Sequence, residues 1–233
     1  MNPGRTNPAD PPVAEGGEDA ALEPLLGALL SGDRQECDRQ ARVLVGEPWD
    51  LERFYLVVIE PVMRHIGHLW ETHRITAGQE HVASSLVTRM ITSAYTRLEA
   101  GTRPDRRALV AVGPGEQHQI GAWMLADLLE LQGWDTRFLG AGSTTQDLLD
   151  QVESFGPQIL ALSLTQPASI REGGELIRAV RALPSAAALR VMVGGRVFLQ
   201  FPDLVATLGA DGFAEDARGA CRLAEDWSGG PAA

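Results

Sequence analysis

From about residue 108 onward, short apolar segments alternate with amphipathic ones, and this alternation limits the possible folds more than any other feature of the chain. Five segments have the pattern of strands: RALVAVG, DTRFLG, ILALSLT, LRVMVGG and ADGFAE. Helical patterns such as QIGAWMLADLLELQG and IREGGELIRAVRAL separate them. Strands that alternate with helices form a parallel sheet with right-handed crossovers. The sequence therefore predicts an α/β domain over residues 108–233, with five parallel strands in the order 2-1-3-4-5.

The preceding residues, 19–100, have helical periodicity instead. Leucines and other apolar residues recur at a spacing close to 3.6 in four segments, which are joined by short connections. Asp50 is a candidate N-cap of the third helix, and Pro61 is expected to kink it. Thr76 and Gln79 have the spacing of a capping box, which places the start of the fourth helix near Ala77. This half of the chain is therefore predicted to be an antiparallel four-helix bundle.

Composition limits the partners and the surroundings of the protein. The formal net charge is −11, and an acidic protein is repelled by a polyanion, which argues against direct binding of DNA or RNA. No apolar run reaches the roughly 20 residues that span a bilayer, and the N-terminus lacks the pattern of a signal peptide. We expect a cytoplasmic protein that does not contact membranes, with a disordered tail over 1–18 and a linker over 101–107.

The segment GPGEQHQIG follows the first predicted strand, where an open parallel sheet of the flavodoxin-like kind binds its ligands. A nucleotide-binding turn needs a third glycine or a lysine here, and both are missing. The segment instead has the pattern E-x-H-x-x-G, formed by Glu116, His118 and Gly121. Two further groups are expected at the same edge of the sheet, after the third and fourth strands: Ser163 with Thr165, and Gly194 with Gly195.

These three elements resemble the cobalamin-binding domain that methionine synthase shares with the adenosylcobalamin mutases, whose pattern is D-x-H-x-x-G, then S-x-L, then GG. The resemblance implies that His118 is the axial ligand of the cobalt, that Glu116 orients its imidazole, and that the remaining residues surround the nucleotide tail of the cofactor. Glu116 stands in place of Asp, which should loosen the geometry, and Thr165 stands in place of Leu. The alternative is that His118 caps a helix and the two glycines form a plain turn.

In the helical half, the spacing of Trp70, Glu80 and His81 resembles the helical cap of CarH-type photoreceptors. The resemblance implies bound adenosylcobalamin, with these three residues around the adenosyl group, and a response to light. It also implies action through a protein partner such as a transcription factor, as in antirepressors of the AerR type. Glu71 departs from the pattern, because CarH has a histidine there. Trp70 as a core residue and Glu80 as a charge favourable to the helix dipole are the alternatives.

Three functions therefore stand side by side: a light-responsive regulator, a corrinoid carrier of a methyltransferase system, and an isolated mutase subunit. The helical half argues against the mutase subunit, and the bulky Trp70 favours an adenosyl group over a methyl group. The sequence contains no nucleophile–base pair, so we expect no enzymatic activity of its own. His65 and His68 lie one helical turn apart without a third ligand, and we expect them to be surface or packed residues. The protein could also form a homo-oligomer, although the sequence indicates no particular interface.

Overall fold

The computed structural model describes residues 18–47, 49–96 and 103–228, so all of the predicted tail except Glu18 lies outside the described residues. The chain divides into two compact units, one up to Ser93 and one from Ala94 onward. The predicted domain limits themselves remain predictions. Among the described residues, no helix is both long enough and apolar enough to cross a membrane.

The first unit is helical, and every predicted helical segment is present. Its elements are α1 (Glu18–Ser31), α2 (Arg34–Val45), α3 (Leu51–Arg53), a π-helical segment (Phe54–Ile59), α4 (Glu60–Glu71) and α5 (Ala77–Tyr95). The predicted caps are confirmed. The Asp50 side chain accepts a hydrogen bond from the N–H of Arg53 at 3.1 Å. Thr76 and Gln79 satisfy each other's backbone N–H groups at 3.0 and 3.2 Å, so α5 begins where the sequence predicted.

The third predicted helix is interrupted by the π-helical segment, which ends two residues before Pro61. Proline has no N–H to donate, and its ring would clash with the carbonyl four residues earlier in a regular α-helix. The N–H of Glu60 donates to the carbonyl of Tyr55, five residues back, which is the π-helical spacing. The helix therefore adapts to Pro61, where we expected a kink, by a local change of hydrogen-bond register.

The second unit has a sheet of five parallel strands in the order β2-β1-β3-β4-β5, as predicted. The strands are β1 (Arg103–Val112), β2 (Trp134–Leu139), β3 (Ile159–Ser163), β4 (Arg190–Gly194) and β5 (Gly212–Ala214). The helices are α6 (Ile120–Leu131), α7 (Thr145–Phe155), α8 (Ile170–Arg181), α9 (Arg196–Gln200), α10 (Leu204–Leu208) and α11 (Ala217–Ser228). Most residues of the central strands β1, β3 and β4 are buried, with exceptions at the strand ends, because helices cover both faces of a parallel sheet.

The first strand is longer than the sequence indicated. Residues 103–106, which precede the predicted strand pattern RALVAVG, already belong to β1. Two contacts hold this extension. Arg103 is paired with Trp134 of β2, and the Gln158 side chain accepts a hydrogen bond from the N–H of Arg107 at 2.8 Å and donates to the carbonyl of Asp105 at 2.7 Å. A glutamine side chain here takes the place of a backbone partner, and such a contact between distant residues leaves no periodic signal.

The carboxyl ends of four strands lie at one level. Val112 is paired with Ser163, Ser163 with Gly194, and Gly194 with Ala214. Just beyond this level, the N–H of Leu164 donates to the carbonyl of Gly194 at 2.9 Å. The loops that follow the strands therefore leave the sheet side by side, as the sequence analysis expected.

Gly195 allows the last of these loops to pass close to its neighbour. Its backbone has φ +112° and ψ 159°, a combination that is essentially restricted to glycine. A Cβ atom on Gly195 would lie 2.1 Å from the carbonyl oxygen of Leu164, whereas a Cβ on Gly194 would lie 3.4 Å from the carbonyl oxygen of Ala214. Packing within the protein therefore requires glycine at 195 far more strictly than at 194.

We predict that Gly195→Ala lowers the free energy of unfolding by about 3 kcal/mol, because it combines backbone strain with a clash against fixed backbone atoms. Gly194→Ala is the matched control and should cost about 1 kcal/mol or less. Urea denaturation of both variants measures the difference. Equal midpoints for the two variants would contradict this account of Gly195.

Candidate functional site

Glu116 lies in the loop between β1 and α6, and its side chain is almost completely buried. One carboxylate oxygen accepts hydrogen bonds from the N–H groups of Gln117 and His118 at 2.9 and 3.0 Å, and lies 2.5 Å from Nδ1 of the His118 ring. The other oxygen accepts from the N–H groups of Thr165 and Gln166, at 2.8 and 3.1 Å. Both oxygens are thus held by donors, which suits an ionised carboxylate.

Two opposing effects act on the pKa of Glu116. Burial by itself would raise the pKa, because it penalises the charged form. Hydrogen bonds from the His118 ring, from the His118 N–H and from the N–H groups of Thr165 and Gln166 favour the charged form and outweigh burial. The pKa of this carboxyl group is therefore held well below its ordinary value of 4.5, and Glu116 is a carboxylate at neutral pH.

The carboxylate decides which nitrogen of His118 carries the proton. An ionised Glu116 can only accept, so Nδ1 is the N–H donor in the 2.5 Å contact. In the neutral ring the lone pair is then on Nε2, the usual arrangement of a metal-binding histidine whose other nitrogen is held by a carboxylate. The His118 side chain is about half exposed, at 51%. The geometry therefore suits coordination of a metal through Nε2.

Glu116 also joins two loops, which the sequence did not reveal. The N–H groups of Thr165 and Gln166 belong to the loop after β3, as does Ser169, whose buried hydroxyl lies 3.3 Å from the same carboxylate oxygen and donates to the carbonyl of Gln166 at 2.7 Å. We expected the extra methylene of Glu116, relative to Asp, to loosen the geometry. The longer side chain instead spans the distance to the second loop, and the carboxylate is tightly held. Ser169 was missed because a serine six residues after Ser163 has no distinguishing local pattern.

The candidate glycines differ in what the protein itself requires of them. A Cβ on Gly121, at the start of α6, would meet no atom within 4 Å among the described residues. Gly194 has ordinary room, and only Gly195 is forced by contact with Leu164. Ser163 and Thr165 are partly exposed beside them. Internal packing therefore does not explain why residues 121 and 194 are glycine. The absence of a side chain at these positions is compatible with the close approach of a ligand.

The three candidate residues of the helical unit lie at adjoining helix ends. Trp70 is in the last turn of α4 and is 45% exposed, so it is not a core residue. Glu80 and His81 are near the start of α5, with 2.6 Å between a Glu80 oxygen and Nδ1 of His81. Glu80 also accepts a hydrogen bond from the Ser84 hydroxyl at 2.5 Å, so its side chain has a defined position.

A tight turn separates these helix ends. The N–H of His73 donates to the carbonyl of Trp70 at 3.0 Å, and the N–H of Arg74 donates to the carbonyl of Leu69 at 2.8 Å. This is the hydrogen-bond pattern of a Schellman motif, which normally places glycine in the left-handed position. Here that position is taken by His73, with φ +56°. Within the described ranges, no group of three or more His, Cys, Asp or Glu side chains is arranged to hold a metal ion.

We predict that Glu116→Gln lowers the free energy of unfolding by about 2 to 3 kcal/mol at pH 7, because an amide presents N–H groups to donors that need an acceptor. The pKa of the native carboxyl is lowered, so its stabilisation is present above pH 4.5 and is lost as the pH falls below it. The difference between the two proteins should therefore shrink as the pH is lowered from 7 to about 4. Urea denaturation tests this, with the exposed Glu153→Gln as control; a difference independent of pH would contradict it.

Comparison with known proteins identifies the family. A family model described as the B12 binding domain matches residues 106–222, half of the chain, and a second model of the same description matches residues 21–93. The HTH-type transcriptional repressor CarA of Myxococcus xanthus is 27% identical over 161 residues, covering 69% of this chain and 53% of that protein. The HTH-type transcriptional repressor CarH of the same organism is 29% identical over 139 residues, covering 59% of this chain and 45% of that protein.

The chain thus spans about half the length of these curated relatives. Among solved structures, the monomethylamine corrinoid protein of Methanosarcina barkeri superposes with a TM-score of 0.77 over 90% of this chain and 99% of that one, at 17% identity, which shows a shared fold. The expected resemblance is confirmed by the matched models and relatives: this chain is a member of the B12-binding domain family, close to CarH.

Proposed function

We propose that the protein is a light-responsive regulator that binds adenosylcobalamin, with His118 as the axial ligand of the cobalt. A cobalamin or corrinoid cofactor is what the B12-binding family implies. The observation that carries the axial assignment is the buried Glu116 carboxylate, which keeps the proton of His118 on Nδ1. A neutral imidazole with its lone pair on Nε2 is what a metal already bound in a macrocycle requires of its lower ligand.

The residues present fit the cofactor. His118 supplies a nitrogen ligand, Gly121 and Gly194 leave the backbone bare, and Ser163 and Thr165 offer hydroxyl groups close by. Adenosylcobalamin supplies a light-sensitive cobalt–carbon bond when it is bound. The part of the protein is to hold the cofactor and to present a different surface once its upper ligand has changed.

The adenosyl form is favoured by the helical unit. Trp70 exposes nearly half of a large aromatic side chain at the end of α4, although burial is strongly favourable for such a surface. Glu80 and His81, near the start of the adjoining helix, add hydrogen-bonding groups of the kind that recognise a ribose or an adenine. We therefore assign these three residues to the adenosyl group. Glu71 stands where CarH has a histidine, so a histidine ligand from that position is impossible here.

A regulatory role is supported by the relatives, because CarA and CarH of Myxococcus xanthus are transcriptional repressors. The net charge of −11 opposes direct contact with DNA by this chain, so the signal would pass through a protein partner. Among the described residues of the site, we assign none to catalysis beyond cofactor binding. We accordingly propose a regulator and not an enzyme.

The second candidate is a corrinoid carrier that passes methyl groups between methyltransferases. It is favoured by the fold, which the monomethylamine corrinoid protein shares over nearly the whole of both chains. The two candidates differ in the upper ligand: a carrier holds a methyl group and needs no recognition of adenosine. Light and the identity of the upper ligand therefore distinguish them.

We predict that the purified protein binds cobalamin and that His118→Ala weakens binding by about tenfold or more and shifts the absorbance spectrum of the bound cofactor, since a cobalt ligand is lost. The matched control is His68→Ala, which removes an exposed histidine of α4 and should change neither the affinity for cobalamin nor the absorbance spectrum. Titration followed by visible absorbance measures both quantities. An unchanged spectrum would refute the axial assignment.

We further predict that green light changes both the spectrum and the hydrodynamic behaviour of the adenosylcobalamin complex prepared in the dark. Trp70→Ala should weaken binding of adenosylcobalamin by about tenfold while leaving methylcobalamin within about twofold, because only the adenosyl group loses its aromatic contact. Val57→Ala, which is also 45% exposed in the wild type, serves as control. Equal losses for both cofactors, or a complex indifferent to light, would favour the carrier.

A further inference from the structure

We infer that Gln119 is a positioning residue for His118: its side chain fastens the histidine loop to the loop after β2, on the side opposite Glu116. The inference rests on the proposed axial role of His118, but the fastening itself is visible in the protein without a cofactor. It concerns a residue to which neither the sequence pattern nor the family pattern assigns a role.

Gln119 occupies the N-cap position of α6, yet its side chain makes no capping hydrogen bond to that helix. Its Oε1 atom instead accepts a hydrogen bond from the N–H of Ala141 at 2.9 Å. Ala141 lies in the loop between β2 and α7, 22 residues further along the chain. Glutamine is not among the residue types that commonly cap a helix, so the Gln119 side chain is available for this long-range bond.

The residue next to Ala141 leaves room for the contact. A Cβ atom on Gly140 would lie 2.7 Å from Oε1 of Gln119, closer than real Cβ atoms approach an oxygen. Gly140 does not have a positive φ, so backbone conformation is not the reason for a glycine. The space that Gly140 leaves is filled by the end of the Gln119 side chain.

The consequence for His118 follows from strand order. β1 lies between β2 and β3, so the loop that follows it has a neighbour on each side. Glu116 fastens the loop to the segment after β3, and Gln119 fastens it to the segment after β2. His118 lies between these two fastenings in the chain. The His118 backbone is therefore restrained on both sides before the cofactor binds. A binding residue that is already held in place loses less conformational freedom, so the cofactor binds more tightly.

Glu116 and Gln119 would have different effects on His118. Glu116 touches the imidazole and decides its tautomer, whereas Gln119 touches only the neighbouring loop and affects the position of the ring through the backbone. Loss of Gln119 should therefore weaken cofactor binding without changing the cobalt coordination of the complex once it has formed. This division separates Gln119 from a direct ligand and from a residue that merely stabilises the fold.

The test uses Gln119→Ala and Gly140→Ala, the second of which displaces the glutamine amide without altering the histidine loop. Each should weaken cobalamin binding about fivefold, the loss of one hydrogen bond, while the visible spectrum of the saturated complex stays as in the wild type. In the double variant, Gly140→Ala should have no further effect, because the shortened side chain at position 119 leaves nothing for the new methyl group to displace. Gln146→Ala, an exposed glutamine of α7, is the control.

A conservative variant and a cofactor-free readout complete the test. Gln119→Glu keeps an oxygen acceptor in the same place and should restore binding to within about twofold of the wild type. In the protein without cobalamin, hydrogen exchange of the Ala141 amide should accelerate in Gln119→Ala and in Gly140→Ala but not in the control.

The outcomes separate the two proposals. Wild-type protein that binds no cobalamin would refute the proposed function, whereas accelerated exchange at Ala141 would still show the fastening. Wild-type affinity in Gln119→Ala, or additive losses in the double variant, would overturn the role of Gln119 even if His118 is the axial ligand. A changed spectrum in saturated Gln119→Ala would also overturn it, since coordination and not position would then be affected.

Discussion

The buried carboxylate of Glu116 is the interaction on which the rest of the candidate site depends. A carboxylate is removed from water only where donors replace its hydration, and here they come from two loops and one imidazole. The same contacts lower the pKa of Glu116, join the loops after β1 and β3, and place the proton of His118 on Nδ1. The Glu116 carboxylate thus stabilises its own loop, connects that loop to the loop after β3, and sets the tautomer of His118.

The sheet makes this arrangement possible because its strands end at one level. Pairing of Ser163 with Val112 on one side and with Gly194 on the other brings the loop after β3 within hydrogen-bonding distance of the loop after β1 and of the end of β4. The backbone of Gly195 then passes so close to Leu164 that no side chain fits. Parallel strands with helical crossovers place the loops that follow the strands at the same edge of the sheet. This topology therefore favours a site assembled from several loops.

The fold could be predicted largely from periodicity, and the reason is physical. Apolar spacing decides which segments are strands or helices, and the side chains that cap helices do so within a few residues, as Asp50, Thr76 and Gln79 show. The start of β1 was misplaced because the extension depends on contacts with Trp134 and Gln158, which are distant in the sequence. The π-helical segment was likewise not foreseen beyond the disturbance expected at Pro61. Local rules succeed where the interacting groups are close in sequence.

For the candidate site, the chain alone determined which residue types are present and at which spacing. They are an acid, a histidine and glycines after successive strands, with an aromatic residue at the end of one helix and two polar residues near the start of the next. These were sufficient to indicate the cofactor family. Only the tertiary structure decided that Glu116 reaches the second loop, that Ser169 belongs to its surroundings and that Gln119 bonds to Ala141 instead of its own helix. Hydrogen bonds between loops depend on distances set by strand pairing, and a linear pattern of residues carries no record of those distances.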